Sequence, residues 1–338
     1  MLDDEFEAWL SSPPPGPGRK PKGLPKYQLP VISRSGARGG NPASHLPVVF
    51  HAMSLNRKLA PVEMMDEGAD RPRPQALGPH CSSTYVSIEH TCPESCEFKR
   101  AEDGGPGACF VQAGFTRHAT TRMDRDGGRF TSLQISRIEA RCIDLQFPEG
   151  VPQDGAKGGR DLRMHVGGET SCTNGAHILA RSALGWKGRG GGAVWLYTHR
   201  WREIPPEAFG TIEAWASLED PQDIQAAREL GYLISFTVTH FPRGHRPFWF
   251  GDLEVTPCPA ETRGRTCVQC RLCLEPPKAY REGRKAIGFM LHGNGMAKVL
   301  LRLMELQDQA MIRGLQRGRS CESSSPSQDH HGHGSAEG

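Results

Sequence analysis

Cysteine is the residue type with the most chemistry to explain in this chain. Eleven occur, and most are clumped. Cys92, Cys96 and Cys109 form one group, and Cys258, Cys267, Cys270 and Cys273 form another. Cys81, Cys142, Cys172 and Cys321 stand apart. Short spacings are what metal or cluster ligation needs, because several thiolates must converge. A disulfide framework suits small secreted chains, whereas this one has 338 residues. It opens Met1-Leu2-Asp3-Asp4-Glu5-Phe6, acidic where a signal peptide is basic and then apolar. A cytoplasmic location is the expectation.

The run Cys267-Val268-Gln269-Cys270-Arg271-Leu272-Cys273 is the strongest signal. Each short spacing lets a turn bring two sulfurs to a metal at about 2.3 Å. Two ligand sets are open. Cys258 with the three later cysteines makes four ligands for a [4Fe-4S] cluster. Cys267, Cys270 and Cys273 with His292 make four for zinc. Cysteine serves both metals, so the residue types leave the choice open. In the first group, three thiolates on one loop can hold three irons of a [4Fe-4S] cluster and leave the fourth open to a ligand.

These residues need a scaffold. Short runs rich in β-branched and aromatic residues predict strands at Tyr85–Ile88, Leu162–Val166, Ala193–Tyr197, Ile212–Ala216, Leu233–Val238, Leu253–Val255 and Ile287–Leu291, with a weaker one at Leu133–Ile135. Between two of them, Pro221, the helical spacing of Ile224, Ala227 and Leu230, and Gly231 as a C-cap predict a crossover helix. A second helix is predicted over Met296–Leu315, with Val299, Leu300, Leu303, Leu306 and Met311 on one face. The fold class read from this order is α/β, a complete or partial (β/α) TIM-type barrel, with a doubly wound sheet as rival.

Four regions follow: a disordered leader over 1–45, a barrel core over 46–257, a Cys-rich metal site with a closing strand and helix over 258–318, and a disordered tail over 319–338. The tails are Pro-, Gly- and Ser-rich, and His330, His331 and His333 lie in the second. No stretch approaches eighteen apolar residues, which excludes a helical membrane span. The net charge of +3 neither demands nor excludes nucleic acid. Arg200-Trp201-Arg202 is the one basic patch with an aromatic residue, the feature a non-enzymatic zinc module binding nucleic acid would need.

In α/β folds the site lies at the carboxyl ends of the strands. Polar residues recur there: His90-Thr91-Cys92, Gly167-Gly168-Glu169, Thr198-His199, Ser217 to Asp220, Thr239-His240, Cys258 and His292-Gly293. One site shared by many loops is the expectation.

The first cysteine group, on a loop after the first of these strands, resembles the radical S-adenosylmethionine (radical SAM) enzymes. Those enzymes carry CxxxCxxC in that place on a partial barrel. Gly167-Gly168-Glu169 is similar to their Gly-Gly-Glu-Pro motif, with Thr170 in place of the proline and twelve residues between Cys96 and Cys109 in place of two. The resemblance implies that Cys92, Cys96 and Cys109 hold a [4Fe-4S] cluster, with S-adenosyl-L-methionine bound at its methionine end by Gly167, Gly168 and Glu169. It also implies an external electron donor. Tyr197, His199 and His240 are the candidates for the substrate side, and Cys258, Cys267, Cys270 and Cys273 for an auxiliary cluster. The span from Thr91 to His292 also resembles a family of bacteriophage proteins, through TCPxxC, His165 to Glu169, Tyr197 to His199, and CxxCxxC followed by His292-Gly293. That resemblance implies a DNA or modified-nucleotide substrate, for example an isomerised amino-acid-substituted thymidine. A weaker resemblance, to tRNA- and DNA-guanine transglycosylases, rests on Cys267, Cys270, Cys273 and His292. It implies structural zinc and exchange of a 7-deazaguanine into DNA, with Asp252 as the carboxylate candidate.

Overall fold

The computed structural model describes residues 81–96, 98–99, 109–112, 116–146, 148 and 159–291. Towards the N-terminus it adds 8, 10, 31–32, 46–51, 54, 58–59, 62–65 and 73–76, and towards the C-terminus 299–301 and 303–308. His292, Gly293, Cys321 and the tail histidines lie outside the described residues.

In chain order the strands are β1 (Val31–Ile32), β2 (Val48–His51), β3 (Val62–Met65), β4 (Arg73–Ala76), β5 (Cys81–Val86), β6 (Asp161–Arg163), β7 (Val194–Thr198), β8 (Glu213–Leu218), β9 (Leu233–Val238), β10 (Phe248–Phe250), β11 (Leu253–Pro257) and β12 (Lys285–Met290). The helices are α1 (Ile88–Thr91), α2 (Thr116–Gly127), α3 (Ser132–Asp144), α4 (Thr173–Gly188), α5 (Ile224–Glu229), α6 (Pro259–Thr262), α7 (Cys267–Cys270) and α8 (Lys278–Arg281). β3 and β4 pair with each other alone, as an antiparallel hairpin.

The other strands form one ten-stranded sheet in the order β1-β2-β5-β6-β7-β8-β9-β12-β11-β10. From β5 to β9, and on through β12 to β11, every neighbour is parallel. β2 lies antiparallel to β5, and β10 antiparallel to β11. The fold is thus α/β with a mostly parallel sheet. The expected complete barrel is not formed by the described residues: the ladder ends at β1 and β10, which do not pair with each other.

Side-chain alternation gives this sheet two differently covered faces. One carries Leu162, Val194, Leu196, Ala214 and Ala216, packed under α3 and α4 with Ile135, Ile138, Ile143, Leu179 and Trp186. The other carries Cys81, Trp195, Trp215 and Ile287 and packs on Cys258, Val268, Cys273 and Tyr280 from the cysteine-rich segment. Handedness accounts for the division. β5 to β9 advance in one direction, whereas β11 returns to β12 in the other. A right-handed crossover travelling backwards falls on the opposite face, and that crossover contains the second cysteine group.

Two sequence expectations change. Leu133–Ile135 is helical, inside α3, where a capping box between Thr131 and Gln134 starts the helix. Ile135, Ile138, Ala140 and Ile143 of that helix are buried, and a short apolar triplet cannot by itself distinguish strand from helix. Ile88 belongs to α1, because the Ser87 cap ends the strand early. The crossover at Asp220–Gly231 forms as a 3-10 turn over Pro221–Asp223 followed by α5, and Gly231 has φ +82°. Within the predicted C-terminal helix, residues 299–301 and 303–308 are helical; Leu303 is buried, and Gln307 Nε2 donates to Thr237 O at the end of β9. Val31–Ile32, inside the predicted leader, pairs with Phe50–His51.

Candidate active site and the second cysteine site

The loop after β5 begins with α1, whose C-cap is Cys92. A turn follows, closed by Cys96 N–H donating to Pro93 O. Lys99 N–H then donates to Cys96 O, and Cys109 N–H to Phe98 O at 2.9 Å. That last bond ties the Cys109 backbone back to within two residues of Cys96, across the long spacing. The buried Lys99 ammonium clamps the loop by donating to Glu89 O, Cys92 O and Glu94 Oε1.

Three further strand ends deliver charged groups beside these thiols. Glu169, after β6, is buried, and three hydrogen bonds hold its carboxylate: Thr198 Oγ1 at 2.9 Å, His199 N–H at 2.8 Å and His199 Nδ1 at 2.6 Å. Its own N–H donates to Thr91 Oγ1 in α1. His199, after β7, brings its other ring nitrogen to 3.2 Å from Glu219 Oε1, after β8. Phe98 meets the His199 ring edge-on. Arg200 Nε donates to Thr91 O, which ties the loop after β7 to the cysteine loop.

The protonation pattern follows from the geometry. Burial pushes the Glu169 carboxyl up, but the His199 and Thr198 hydrogen bonds and the His199 charge outweigh it and hold the carboxyl below its ordinary range. Burial pulls His199 down, yet Cys96, Glu219 and Glu169 together raise it well above the usual histidine value. Burial also raises Cys92, Cys96 and Cys109. Such thiols keep their protons until a metal displaces them.

Gly167 and Gly168 are required by space. A Cβ on Gly167 would lie 2.6 Å from Val111, two residues after Cys109. Gly168 has φ +78°, and a Cβ there would lie 2.5 Å from the Val86 carbonyl oxygen. Both glycines let the Glu169 turn press against the end of β5 and its loop. Behind this turn lies a buried network that the sequence reading missed: Glu139 of α3 binds His165 Nε2 at 2.7 Å and accepts from Thr84 Oγ1. His165 takes φ +52°, uncommon for a non-glycine residue. The spacing between helix and strand ends gave no signal for this pair.

The second group occupies the opposite end of the chain's logic. Cys258 ends β11, Cys267 and Cys270 lie in α7, and Cys273 follows the left-handed Arg271 turn. All four line one cavity, with Pro259, Ala260, Leu272, Leu274 and Ile287 as its apolar walls. Tyr197 belongs to this site: its hydroxyl donates to Cys273 Sγ at 2.9 Å. Trp215 Nε1 donates to Cys273 O, and Arg271 reaches Asp161 at 3.0 Å. Burial pushes Cys267 up to about 12 and Cys258 to about 11. Cys81, isolated in sequence, opens β5 on this face and feels the charge of Cys267.

No family model, no curated protein and no solved structure matches this chain. Its site is therefore read from its own residues. Among those described, no group of three or more His, Cys, Asp or Glu stands in an arrangement that could hold a metal ion. No helix among them is long and apolar enough to cross a membrane.

The remaining candidates are placed as follows. His240 is exposed and contacts its neighbour Thr239. Asp252 is exposed and pairs with Arg228 through two bonds. Trp201 is buried in the helix-side core, with Arg202 stacked on it and paired with Asp223. That patch is not an open stacking surface for nucleic acid. Cys172 caps α4 by accepting from Gly175 N–H, and Cys142 is buried in α3.

Proposed function

We propose that this chain is a radical SAM-type iron–sulfur enzyme on a partial (β/α) barrel, modifying or isomerising a hypermodified base in phage DNA. One observation carries the reading. Cys92, Cys96 and Cys109 share the loop after β5, which the Cys109 N–H bond to Phe98 O folds back, with Glu169, His199 and Glu219 supplied by the ends of the next three strands. The sequential strand order from β5 to β9 is compatible with a partial barrel, while the reversal at β12–β11 is the feature a doubly wound sheet shares.

When bound, a [4Fe-4S] cluster with S-adenosyl-L-methionine would supply one-electron chemistry. Cys92, Cys96 and Cys109 would hold three irons and leave the fourth for the cofactor. Glu169 is suited to the cofactor's amino group. A carboxylate offers about four lone-pair sites, and Thr198 and His199 take three. Gly167 and Gly168 bring the backbone close without side chains in the way. His199, proton-loaded between Glu169 and Glu219, fixes the carboxylate that receives the cofactor.

The four cysteines of the second group line one cavity. Cysteine serves iron and zinc alike, so the cluster reading of that group rests on the resemblance. The DNA-base substrate and the external electron donor rest on the resemblance to radical SAM and phage proteins.

The test is oxygen-free purification. The protein should be brown, carry iron and sulfide near four per cluster, and cleave S-adenosyl-L-methionine to methionine and 5′-deoxyadenosine when reduced. Colourless protein with one zinc would overturn the reading. So would base excision with free deazaguanine and no S-adenosyl-L-methionine, which is the transglycosylase reaction.

A further inference from the structure

Arg163 lies on β6 with its guanidinium 4.0 Å from the centre of the Tyr197 ring. Arg163 is half-buried; its Nε, like that of Arg271, has no hydrogen-bond partner, and no carboxylate among the described residues forms an ion pair with Arg163. The other arginines around this face are paired: Arg271 with Asp161 and Glu275, Arg281 with Glu213, and Arg228 with Asp252. The groups that act electrostatically on Arg163 are instead Tyr197, Cys267, Cys273 and Cys81. Three of these are sulfurs of the cysteine face.

A partly desolvated guanidinium without a counter-charge is costly, and arginine does not escape by losing its proton. Neutral thiols cannot compensate it. Metal-bound thiolates can, since each carries negative charge onto the bound group. The Tyr197 hydroxyl aimed at Cys273 Sγ fits the same picture, because a donor prefers an anionic sulfur.

We propose that Arg163 is the counter-charge of the anionic group held by Cys258, Cys267, Cys270 and Cys273, and that it sets how readily that group is reduced. The proposal rests on the cluster reading of the second site. A positive charge beside an acceptor favours the state that has gained an electron. Removing it therefore lowers the midpoint potential for one-electron reduction, with dithionite as the reductant.

The experiment uses the full chain with Cys92→Ala and Cys96→Ala, which confines iron to the second site. Iron, sulfide and the midpoint potential are measured in this background and again with Arg163→Met or Arg163→Lys. Arg163→Met should shift the midpoint to a more negative value by at least about 59 mV, a tenfold change in the one-electron equilibrium, or lose the cluster. Arg163→Lys should hold the cluster near the parent potential. If the parent binds zinc or no iron, the cluster reading falls and takes the proposal with it. If the parent holds iron and sulfide but Arg163→Met leaves content and potential unchanged, the proposal alone fails. Loss of the cluster in both variants would assign Arg163 to shape and also overturn it.

Discussion

The two cysteine groups share a residue type and little else. The first sits on a loop at the carboxyl ends of the strands, and its neighbours are ionisable: Glu169, His199, Glu219 and Lys99. The second is laid along a sheet face, walled by Ile287, Leu272 and Leu274 and supported by Trp215 and Tyr280. The first has a buried carboxylate and an imidazole beside its thiols. The second has apolar walls, one hydroxyl donor and the Arg163 guanidinium, whose Nε has no hydrogen-bond partner. In a low-dielectric wall, each fixed charge acts more strongly. Under the proposed function, the difference would separate a place where a small molecule is bound and turned over from a place where a group is held and its potential tuned.

The most severe way to break this division is to remove one ligand from each side. Cys92→Ala should abolish turnover, by at least about a thousandfold, while the second site keeps its iron. Cys273→Ala should do the reverse for metal: the first loop keeps its iron and the apolar face loses its own. Iron per chain and cleavage of S-adenosyl-L-methionine check both. Equal losses of iron in the two variants would mean that the groups form one site.

Next in size is Gly168→Ala. Its left-handed backbone and the 2.5 Å approach to the Val86 oxygen leave no room for a methyl group. We expect a loss of roughly 2–4 kcal/mol and weakened cofactor binding at the first site. Gly264→Ala, near the second group, has φ +64° but open space around it, so about 1 kcal/mol is expected there. Chemical denaturation ranks the pair, and a Gly264 variant as damaged as Gly168 would refute the close-approach argument.

A subtler contrast uses the clamps. Arg271→Met leaves the buried Asp161 carboxylate with the Ala193 N–H but without its guanidinium, a loss of about 2 kcal/mol. Lys99→Met strips the donor from Glu89 O and Cys92 O, at about 1–2 kcal/mol. The first should loosen metal retention only at the second group, the second only at the first. Metal release against a chelator measures each, and crossed effects would erase the distinction between the two sites.

Much of this arrangement could be read before any coordinates. Residues 233–238 form the strand that their β-branched and aromatic pattern predicts, and Gly231 caps the crossover as expected. Glu169, His199 and the clumped cysteines were visible as residue types at strand ends. What stayed hidden depends on pairing between distant segments. The reversal at β11–β12, which sends the second cysteine group across the other face, follows from handedness only once the strand order is known. Cys81 looks isolated until β5 is seen to begin on that face. Tyr197 and His199, two residues apart, serve different cysteine groups, because β7 runs past one site and ends at the other. The Glu139–His165 pair joins a helix to a strand end 26 residues away, and no local pattern marks it.

The smallest effect is also the most discriminating. Tyr197→Phe removes the hydroxyl that donates to Cys273 Sγ and keeps the ring under Arg163 and against Phe289. Burial holds the phenol well above its ordinary range, so the hydroxyl is a neutral donor. Against a neutral thiol such a bond contributes about 1 kcal/mol, and against an ionised sulfur about 1.5–3 kcal/mol. The variant should therefore cost more stability in loaded protein than in protein stripped of metal. For a chain of this size, each kcal/mol moves Tm by about 1–2 °C. Melting curves of both proteins in both states give the difference directly. An equal shift in the two states would mean that Cys273 carries no added negative charge when loaded, and the second site would lose its standing as an anionic centre while the first kept its own.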